Sequence, residues 1–321
     1  MSQNILQEIS KIGMIPVLNI DKLHRALPLA DALQRGGLPL MEVMFRTDVA
    51  ASCIKEIAKS RPDFLIGAGT ILTEDQAKLA VDCGAKFLVA PGFNPKVVKC
   101  AQQLQVPIVP GCVSPTEVEA ALDLGVKVLK FFPAVQNGGV PAMGLLAGPY
   151  RDITFVPTGD LDKKLAFEYL SFDKVAAAGG DFMLKYEDIH SDNYEKIEKD
   201  VAETIDLYFN FHVAHVGMNE SSEDKAFDLA SCLGKCLSKD VVKMQNSTFV
   251  GSLIEVMHKP FYHEKGHIAI GTRDATRAYH YLKRKGVEFI EDSVFLNDQG
   301  RVTAAYIKED FAGFALHLMQ D

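Results

Sequence analysis

Apolar runs alternate with amphipathic stretches along the first two hundred residues of the chain. Eight runs are short, rich in Val, Ile, Leu and Phe, and bounded by turn residues, as buried strands are. These runs are Met14–Ile20, Pro39–Phe45, Phe64–Thr70, Phe87–Gly92, Pro107–Cys112, Val128–Ala134, Ile153–Gly159 and Val175–Gly180. Between them, apolar residues recur at i, i+3 and i+4, which predicts helices. The sequence from Ser114 to Glu117 is typical of a helix start, because a serine cap, an early proline and a glutamate three residues later form a capping box.

This alternation predicts the α/β class and, within it, a (β/α)8 TIM barrel. Eight β/α units fit into roughly 180 residues, and strands that are apolar on both faces are typical of a parallel sheet covered by helices. A doubly wound open sheet is the alternative. That fold favours a glycine-rich turn after its first strand, and the segment Ile20–Leu23 contains no glycine.

Two of the apolar runs each carry a single charged residue. Lys130 lies in the middle of Val126–Ala134, and Glu42 lies within Leu40–Phe45. An unpaired charge in a low-dielectric interior is costly, so a buried lysine either pairs with a carboxylate or loses its proton. A neutral amine in an apolar pocket is a nucleophile towards carbonyl carbon and forms a Schiff base. In a barrel, both residues reach the mouth formed by the C-terminal ends of the strands, where a lysine and a proton-shuttling carboxylate make a catalytic pair.

Polar groups follow several of the predicted strands at the same end of the barrel. Arg46 and Thr70 supply donors suited to a substrate carboxylate. Glycines at the ends of the last two strands leave room for backbone N–H groups to approach an anion or a polyol. They are Gly159, Gly179 and Gly180.

At these residues the sequence resembles the class I aldolases that cleave 2-keto-3-deoxy-6-phosphogluconate (KDPG) and 4-hydroxy-2-oxoglutarate (KHG). The motifs that carry the resemblance occur in order over residues 3–205, and they are LMEVMFRT, IGAGTIL, VAPGFNP, VPIVPGC, LKFFPA, NGGV, LAGPY, FVPTGDL and AAGG. The resemblance implies a homotrimer of barrels that needs no cofactor and releases pyruvate with glyceraldehyde 3-phosphate, glyceraldehyde or glyoxylate. It implies the Schiff base at Lys130 and general acid–base catalysis by Glu42. It also implies that Arg46 and Thr70 bind the pyruvate carboxylate. The pocket would be lined by Pro91, Phe132 and Thr158.

Two positions depart from the pattern of these aldolases. Asp160 follows Pro157–Gly159 where a second glycine is usual, and Asp181 follows Gly179–Gly180 where a serine contacts the substrate phosphate. Two carboxylates in the customary phosphate loops would repel a phosphate by up to roughly 1 kcal/mol each near a hydrated surface. We therefore expect an unphosphorylated 2-keto-4-hydroxy acid as the preferred substrate. The alternative is that both side chains turn outward, Asp181 as a helix cap.

Net charge argues against two classes of partner, and the resemblance to the aldolases implies a small-molecule keto acid instead. The chain has 48% hydrophobic and 24% charged residues, typical of globular proteins, and its net charge of -8 argues against nucleic acid or an anionic membrane as partner. It has no signal-peptide h-region and no apolar stretch approaching the ~18–20 residues of a membrane span. The six cysteines lack the spacing of a disulfide framework, which predicts reduced thiols and a cytoplasmic protein.

The last hundred and ten residues contain an internal repeat of about fifty residues. Ala214–Asn219 matches Gly266–Gly271, and in both copies an Ala–aromatic pair follows at the same offset in a predicted helix. Each copy then ends in a strand, Ser252–Met257 in one and Phe314–Met319 in the other, which predicts a smaller α+β domain of paired βαβββ modules.

The repeat resembles the vicinal oxygen chelate (glyoxalase-like) fold, in which a His on the first strand and a Glu on the last strand of each module bind a divalent metal. By position the ligands would be His215, Glu255, His267 and, where a second Glu is expected, His317. Three His and one Glu suit Zn, Mn, Fe or Ni. The alternative is a module without metal that aids oligomerisation.

The sequence therefore predicts a (β/α)8 aldolase domain over residues 1–207 and a vicinal-oxygen-chelate-like domain over residues 208–321. The first would be a Schiff-base, pyruvate-releasing lyase of carbohydrate metabolism. Two alternatives stay open at this point. The barrel could be a non-catalytic keto-acid-binding protein, or the chain could be bifunctional, with a metal-dependent activity in its second domain.

Overall fold

The structure, a computed structural model, describes residues 2–260 and 262–321 and divides the chain into two compact units. The first unit ends at Ile205 and the second begins at Asp206. Within the described residues, no helix is both long enough and apolar enough to cross a membrane. All six cysteines are free thiols.

The first unit alternates strands and helices along its whole length. Its elements are α1 (Ser2–Ile12), β1 (Met14–Leu18), α2 (Ala26–Gly36), β2 (Leu40–Met44), α3 (Ala50–Ser60), β3 (Leu65–Gly69), α4 (Glu74–Asp82), β4 (Phe87–Val89), α5 (Pro95–Gln103), β5 (Ile108–Val109), α6 (Pro115–Asp123), β6 (Val128–Phe131), α7 (Gly139–Ala147), β7 (Thr154–Pro157), α8 (Lys163–Leu170), β8 (Ala178–Gly180), α9 (Tyr186–His190) and α10 (Tyr194–Phe209), the last of which runs on into the second unit. A short 3-10 turn, Leu23–Arg25, precedes α2.

The strands of this unit pair in parallel around a ring. Six of them form a sheet in the order β5-β4-β3-β2-β1-β8, and β6 pairs with β7. Parallel bridges join the two groups, Gly111 to Lys130 between β5 and β6 and Thr158 to Gly179 between β7 and β8. The unit is therefore an α/β domain of the TIM-barrel type, as the alternation of the sequence predicted. We call the end of the ring at the C-terminal ends of the strands the barrel mouth.

Polar side chains cap the first turns of the helices that follow several strands. The side chain of Ser114 accepts from the backbone N–H of Glu117, and the Glu117 side chain accepts from the backbone N–H of Ser114, which confirms the predicted capping box at α6. Thr73, Asn94 and Asp162 cap α4, α5 and α8 in the same manner. These caps satisfy N–H groups at the helix starts and fix the chain around the barrel mouth.

The second unit holds two copies of a βαβββ module. The first copy is β9 (His212–Asn219), α11 (Glu223–Leu237), β10 (Val241–Lys243), β11 (Ser247–Val250) and β12 (Ile254–Met257). The second copy is β13 (Gly266–Thr272), α12 (Ala275–Arg284), β14 (Phe295–Leu296), β15 (Val302–Tyr306) and β16 (Phe314–Gln320), with a 3-10 turn at Glu291–Ser293. The repeat read from the sequence thus corresponds to two successive sets of elements.

One eight-stranded sheet contains both modules in the order β10-β11-β12-β9-β13-β16-β15-β14. The first strands of the two modules, β9 and β13, are antiparallel neighbours at its centre, and each is parallel to the last strand of its own module. Helix α11 packs Ala226 and Ala230 against Val250 and Val256 on one face. Because side chains alternate between faces, Glu255 and its neighbours across the strands lie on the other face.

Candidate active site

Lys130 and Glu42 meet in the interior of the barrel. Lys130 lies on β6 and Glu42 on β2, which are four positions apart in the ring, so their side chains can approach only across its inside. Lys130 is 6% exposed and Glu42 is 2% exposed, and Lys130 Nζ lies 3.8 Å from Glu42 Oε1. The Lys130 ammonium also stands 5.1 Å from the centroid of the Phe132 ring. The structure thus brings together the two lone charges that the sequence singled out.

A glycine on the neighbouring strand makes room for the glutamate. A Cβ atom on Gly69, at the end of β3, would lie 2.0 Å from Glu42 Oε1 and 2.7 Å from its carboxyl carbon. No side chain fits at that distance. Gly69 therefore allows the Glu42 carboxylate to occupy its place beside Lys130.

Burial governs the protonation of Glu42. Loss of solvation raises the pKa of this carboxyl above its ordinary value, and the positive charges of Lys130 and Arg46 only partly oppose that rise. Glu42 Oε1 is buried and has no hydrogen-bond partner among the described residues. A carboxyl with a raised pKa and a free oxygen can both take up and return a proton, as a general acid–base group must.

Arg46 and Thr70 lie together just beyond the ends of β2 and β3. Arg46 Nε donates a hydrogen bond to Thr70 Oγ1 over 3.3 Å; Arg46 is exposed and Thr70 is partly exposed. Thr70 has a φ of +58°, a left-handed conformation that a β-branched residue rarely adopts. The Thr70 hydroxyl, at this strained turn, is thus the hydrogen-bond acceptor of the Arg46 guanidinium at the barrel mouth.

The other predicted pocket residues also follow strand ends at the mouth. Thr158, 7% exposed, follows β7, and its backbone N–H donates to the carbonyl of Phe131. A Cβ on Gly179 would lie 2.7 Å from Thr158 Oγ1, so glycine is required on β8 at this point. Of the remaining residues, Pro91 follows β4, Phe132 follows β6, Gly159 follows Thr158 with a φ of +110°, and Gly180 ends β8.

The two aspartates that depart from the aldolase pattern are both exposed at the mouth. Asp160 adopts a left-handed φ of +52°, and its carboxylate accepts a hydrogen bond from the Gln136 side chain. Asp181 does not cap the helix that follows it, because α9 begins after Lys185. The expectation that Asp181 could be a helix cap is therefore wrong, and its carboxylate is left in solvent.

Sequence reasoning missed two residues beside the mouth. The backbone N–H of Asn19, directly after β1, donates to the hydroxyl of Tyr186 over 3.0 Å. Burial raises the pKa of Tyr186, and Asp181 raises it further while Arg46 lowers it, so both charges act on this hydroxyl. Asn19 Oδ1 is buried without a partner among the described residues. The only available signal was a polar residue placed directly after an apolar strand.

In the second unit, three of the predicted metal ligands contact one another directly. His215 Nε2 lies 3.1 Å from His267 Nε2, and the two nitrogens lie 3.3 Å and 3.1 Å from Glu255 Oε2. The residues come from the adjacent strands β9, β13 and β12. Gly217 faces both Glu255 and His267 across the sheet, and a Cβ there would lie 2.1 Å from the His267 ring. Because Gly217 has no side chain, the His267 ring can approach His215 and Glu255.

His317, on β16, completes the set. One ring nitrogen from each of His215, His267 and His317 can lie within 4.8 Å of the others. Burial and the nearby His267 lower the pKa of His317 to about 4. Burial raises the pKa of Glu255, but hydrogen bonds from His215 and His267 outweigh it and hold that pKa well below its ordinary value. We call His215, Glu255, His267 and His317 the histidine cluster.

Sequence reasoning also missed a residue that supports the histidine cluster. Tyr306 stacks on His317 with ring centroids 4.5 Å apart and an interplanar angle of 22°. It is buried on β15, in register with His317. A tyrosine on an ordinary strand carries no pattern that distinguishes it from a core residue.

Known proteins resemble the first unit. The family described as "Aldolase: KDPG and KHG aldolase" matches residues 5–200. The chain is 40% identical over 206 residues to the 2-dehydro-3-deoxy-phosphogluconate aldolase of Haemophilus influenzae, covering 64% of this chain and 97% of that protein. It is 43% identical over 193 residues to the enzyme of the same name from Treponema pallidum, covering 60% of this chain and 92% of that protein.

A solved structure agrees with these sequence matches. It is the crystal structure of KDPG aldolase from Legionella pneumophila with pyruvate captured as a covalent carbinolamine intermediate, with a TM-score of 0.60 and 34% identity, covering 62% of this chain and 97% of that one. Since the family spans more than half of the sequence and coincides with the barrel that holds Lys130 and Glu42, the chain belongs to the KDPG and KHG aldolase family.

Proposed function

We propose that this chain is a class I aldolase that cleaves a 2-keto-4-hydroxy acid to pyruvate and an aldehyde through a Schiff base at Lys130. The observation that carries the proposal is the buried approach of Lys130 Nζ to Glu42 Oε1 at 3.8 Å, at the mouth of a barrel of this family. The names of the relatives from Haemophilus influenzae and Treponema pallidum support KDPG as a substrate. The covalent pyruvate of the Legionella pneumophila enzyme supports the Schiff-base route.

The reaction needs only these two groups. The neutral Lys130 amine attacks the C2 carbonyl, and the protonated Glu42 carboxyl supplies a proton as water leaves, so that a protonated imine forms and withdraws electrons. The Glu42 carboxylate takes the proton of the C4 hydroxyl, the C3–C4 bond breaks, the aldehyde leaves, and the bonding pair moves into an enamine. Glu42 then gives that proton to C3, and hydrolysis of the protonated imine releases pyruvate, regenerates the neutral amine and returns a proton to Glu42.

Other residues at the mouth bind and orient the substrate. Arg46 and Thr70 hold the pyruvate carboxylate, since a guanidinium and a hydroxyl supply charge-assisted hydrogen bonds. The walls of the pocket are Pro91, Phe132 and Thr158. The backbone around Gly159, Gly179 and Gly180 receives the aldehyde half.

We further propose that the enzyme is a cytoplasmic homotrimer. The trimer rests on the resemblance to the family, and the cytoplasmic location rests on the six free cysteines and on the small-molecule substrate.

The Lys130 proposal is tested by pyruvate release from KDPG and from 4-hydroxy-2-oxoglutarate. Lys130→Met should lower kcat at least a thousandfold, because the variant lacks the amine that forms the imine. Lys127→Met is the matched control: this lysine precedes Lys130 by three residues, is exposed, and pairs only with Asp152 among the described residues. It should keep activity within a factor of two. Full activity of Lys130→Met would rule out the Schiff-base route and favour a keto-acid-binding barrel.

A second variant tests the placement of Glu42 without altering either catalytic residue. Gly69→Ala puts a methyl group where the carboxylate lies, so Glu42 should be pushed from Lys130 and kcat should fall about a hundredfold. Gly144→Ala, within helix α7 and 3.6 Å from the Phe172 ring, makes the same change in ordinary contact and should leave kcat unaltered. An unchanged kcat in a folded Gly69→Ala enzyme would contradict the role given to Glu42.

The exposed carboxylates at the mouth favour a free keto-deoxy acid over its phosphate ester. Asp160 and Asp181 lie in the loops after β7 and β8, where phosphate is bound in barrels of this type. Substrates of this class include 2-keto-3-deoxygluconate and 4-hydroxy-2-oxoglutarate. Hydroxyl groups can donate to these carboxylates, whereas a phosphate dianion is repelled.

Replacing Asp181 tests this specificity. We expect wild-type kcat/KM to be higher for 2-keto-3-deoxygluconate than for KDPG, and Asp181→Ser to raise the KDPG value about fivefold relative to the free acid, which is roughly 1 kcal/mol of removed repulsion. Asp123→Ser removes the same charge at the C-terminal end of α6, away from the mouth, and should leave the ratio unchanged. A hundredfold wild-type preference for KDPG would contradict the proposal.

For the second unit we propose a vicinal-oxygen-chelate-like module whose histidine cluster holds a divalent metal, which would make the chain bifunctional. The donor set fits: donors about 2.1 Å from one ion in a tetrahedral arrangement are roughly 3.4 Å apart, close to the 3.1–3.3 Å between His215, His267 and Glu255. A buried nitrogen of the fourth residue, His317 Nε2, has no hydrogen-bond partner among the described residues. A bound ion would act as a Lewis acid.

Next to the cluster, a cavity of about 530 Å³ gives a small molecule access. It is lined in part by Ser247, Phe249, Glu255 and Lys259. A cation and several hydrogen-bonding groups beside a metal position favour an anionic oxygen ligand.

A further inference from the structure

The backbone fixes the tautomer of His317. His317 Nδ1 lies 3.1 Å from the carbonyl oxygen of Leu318, and a carbonyl can only accept, so Nδ1 carries the proton. Nε2 therefore keeps its lone pair. That nitrogen is buried and has no hydrogen-bond partner among the described residues. The lone pair on His317 Nε2 is thus available to bind a metal ion, and no described residue donates a hydrogen bond to it.

Packing holds the His317 ring beside the other two histidines of the cluster. One face of the ring stacks on Tyr306, and the ring centroid lies 5.1 Å from that of His267 and 5.9 Å from that of His215. Across β13, His317 is in register with Ala269, whose small side chain leaves space on this face of the sheet. The ring is 6% exposed, so turning it out to solvent would break the stack and empty a buried volume.

The histidine cluster is consequently rich in nitrogen and poor in charge. Glu255 is its one carboxylate, and the other three donors are neutral imidazoles when they bind a metal. Hard cations such as Mg²⁺ and Mn²⁺ favour carboxylate, carbonyl and water oxygens, and imidazole suits Zn²⁺ and its first-row neighbours. A second carboxylate in place of His317 would replace a nitrogen ligand with an oxygen ligand and add a second negative charge, and both changes favour the hard cations.

We propose that His317 makes the histidine cluster selective for Zn²⁺ and Co²⁺ over Mn²⁺ and Mg²⁺. The inference rests on the proposed metal site and concerns which ion that site takes. It follows from the locked tautomer, the buried lone pair and the three-nitrogen donor set.

Metal binding by the full-length chain tests the inference without an activity assay. The chain is stripped with a chelator, and the dissociation constants of Zn²⁺, Co²⁺, Mn²⁺ and Mg²⁺ are measured by competition, with metal content by elemental analysis. We expect one Zn²⁺ or Co²⁺ per chain and binding of Mn²⁺ and Mg²⁺ at least a hundredfold weaker. His317→Glu should narrow the Mn²⁺-to-Zn²⁺ ratio at least tenfold. His280→Glu, the same substitution on α12, should leave the ratio as it is.

The visible spectrum of bound Co²⁺ locates the ion. His215→Ala should abolish the Co²⁺ bands if the ion sits in the cluster. The exposed thiols of Cys232 and Cys236 would instead give a sulfur-to-metal charge-transfer band, which we expect to be absent. Should His317→Glu fail to fold, His317→Ala serves in its place, and its Co²⁺ spectrum should shift because one nitrogen donor is lost.

The outcomes separate the two proposals. If the chain binds none of the four ions, or if His215→Ala binds them as tightly as the wild-type chain does, the proposal of a metal site at the histidine cluster is wrong. The proposed selectivity is then wrong as well. If an ion binds in the cluster but Mn²⁺ or Mg²⁺ binds as tightly as Zn²⁺, the site stands and the inference is overturned. An unaltered ratio in His317→Glu, or an unaltered Co²⁺ spectrum in His317→Ala, overturns it in the same way.

Discussion

The structure of the first unit depends on keeping a lysine and a glutamate together in a nearly dry interior. Removing an ion from water costs several kcal/mol even after the protein relaxes, and the attraction of a partner offsets this only in part. Lys130 and Glu42 stand 3.8 Å apart, within ion-pair range but beyond a hydrogen bond, and the Glu42 carboxyl has its pKa raised by burial. A pair optimised for stability would be hydrogen-bonded. This pair is not hydrogen-bonded, which fits the Schiff-base chemistry that we propose for it.

The barrel supplies the means to hold that pair. Strands on opposite sides of a closed ring place one residue each at the mouth, and Gly69 and Gly179 leave the space that the Glu42 and Thr158 side chains fill. Helix caps such as Ser114 keep the connections short and the strand ends in place. The strands thus fix the positions of Lys130 and Glu42, and the loops after β7 and β8, which we propose to receive the aldehyde half of the substrate, belong to the more variable part of the fold.

Much of this arrangement was predictable, because buried strands and amphipathic helices each produce a characteristic pattern of apolar and polar residues. A lone Lys130 and a lone Glu42 in apolar runs, the capping box at Ser114 and the repeated His215 and His267 segments all follow from period and composition. Side-chain positions in loops were not predictable. Asp160 lies in a left-handed turn and binds Gln136, and Asp181 precedes a helix that begins four residues later than a cap would require. Neither the tautomer of His317 nor its stacking on Tyr306 has a sequence signature, since both depend on register between strands.

The most direct test of the central claim is to trap the imine. The full-length chain is incubated with pyruvate, reduced with borohydride, digested and mapped by mass spectrometry. The account predicts one reduced pyruvate per chain, on the peptide that contains Lys130. Label on another lysine, or no label while the chain still cleaves its substrate, would contradict it.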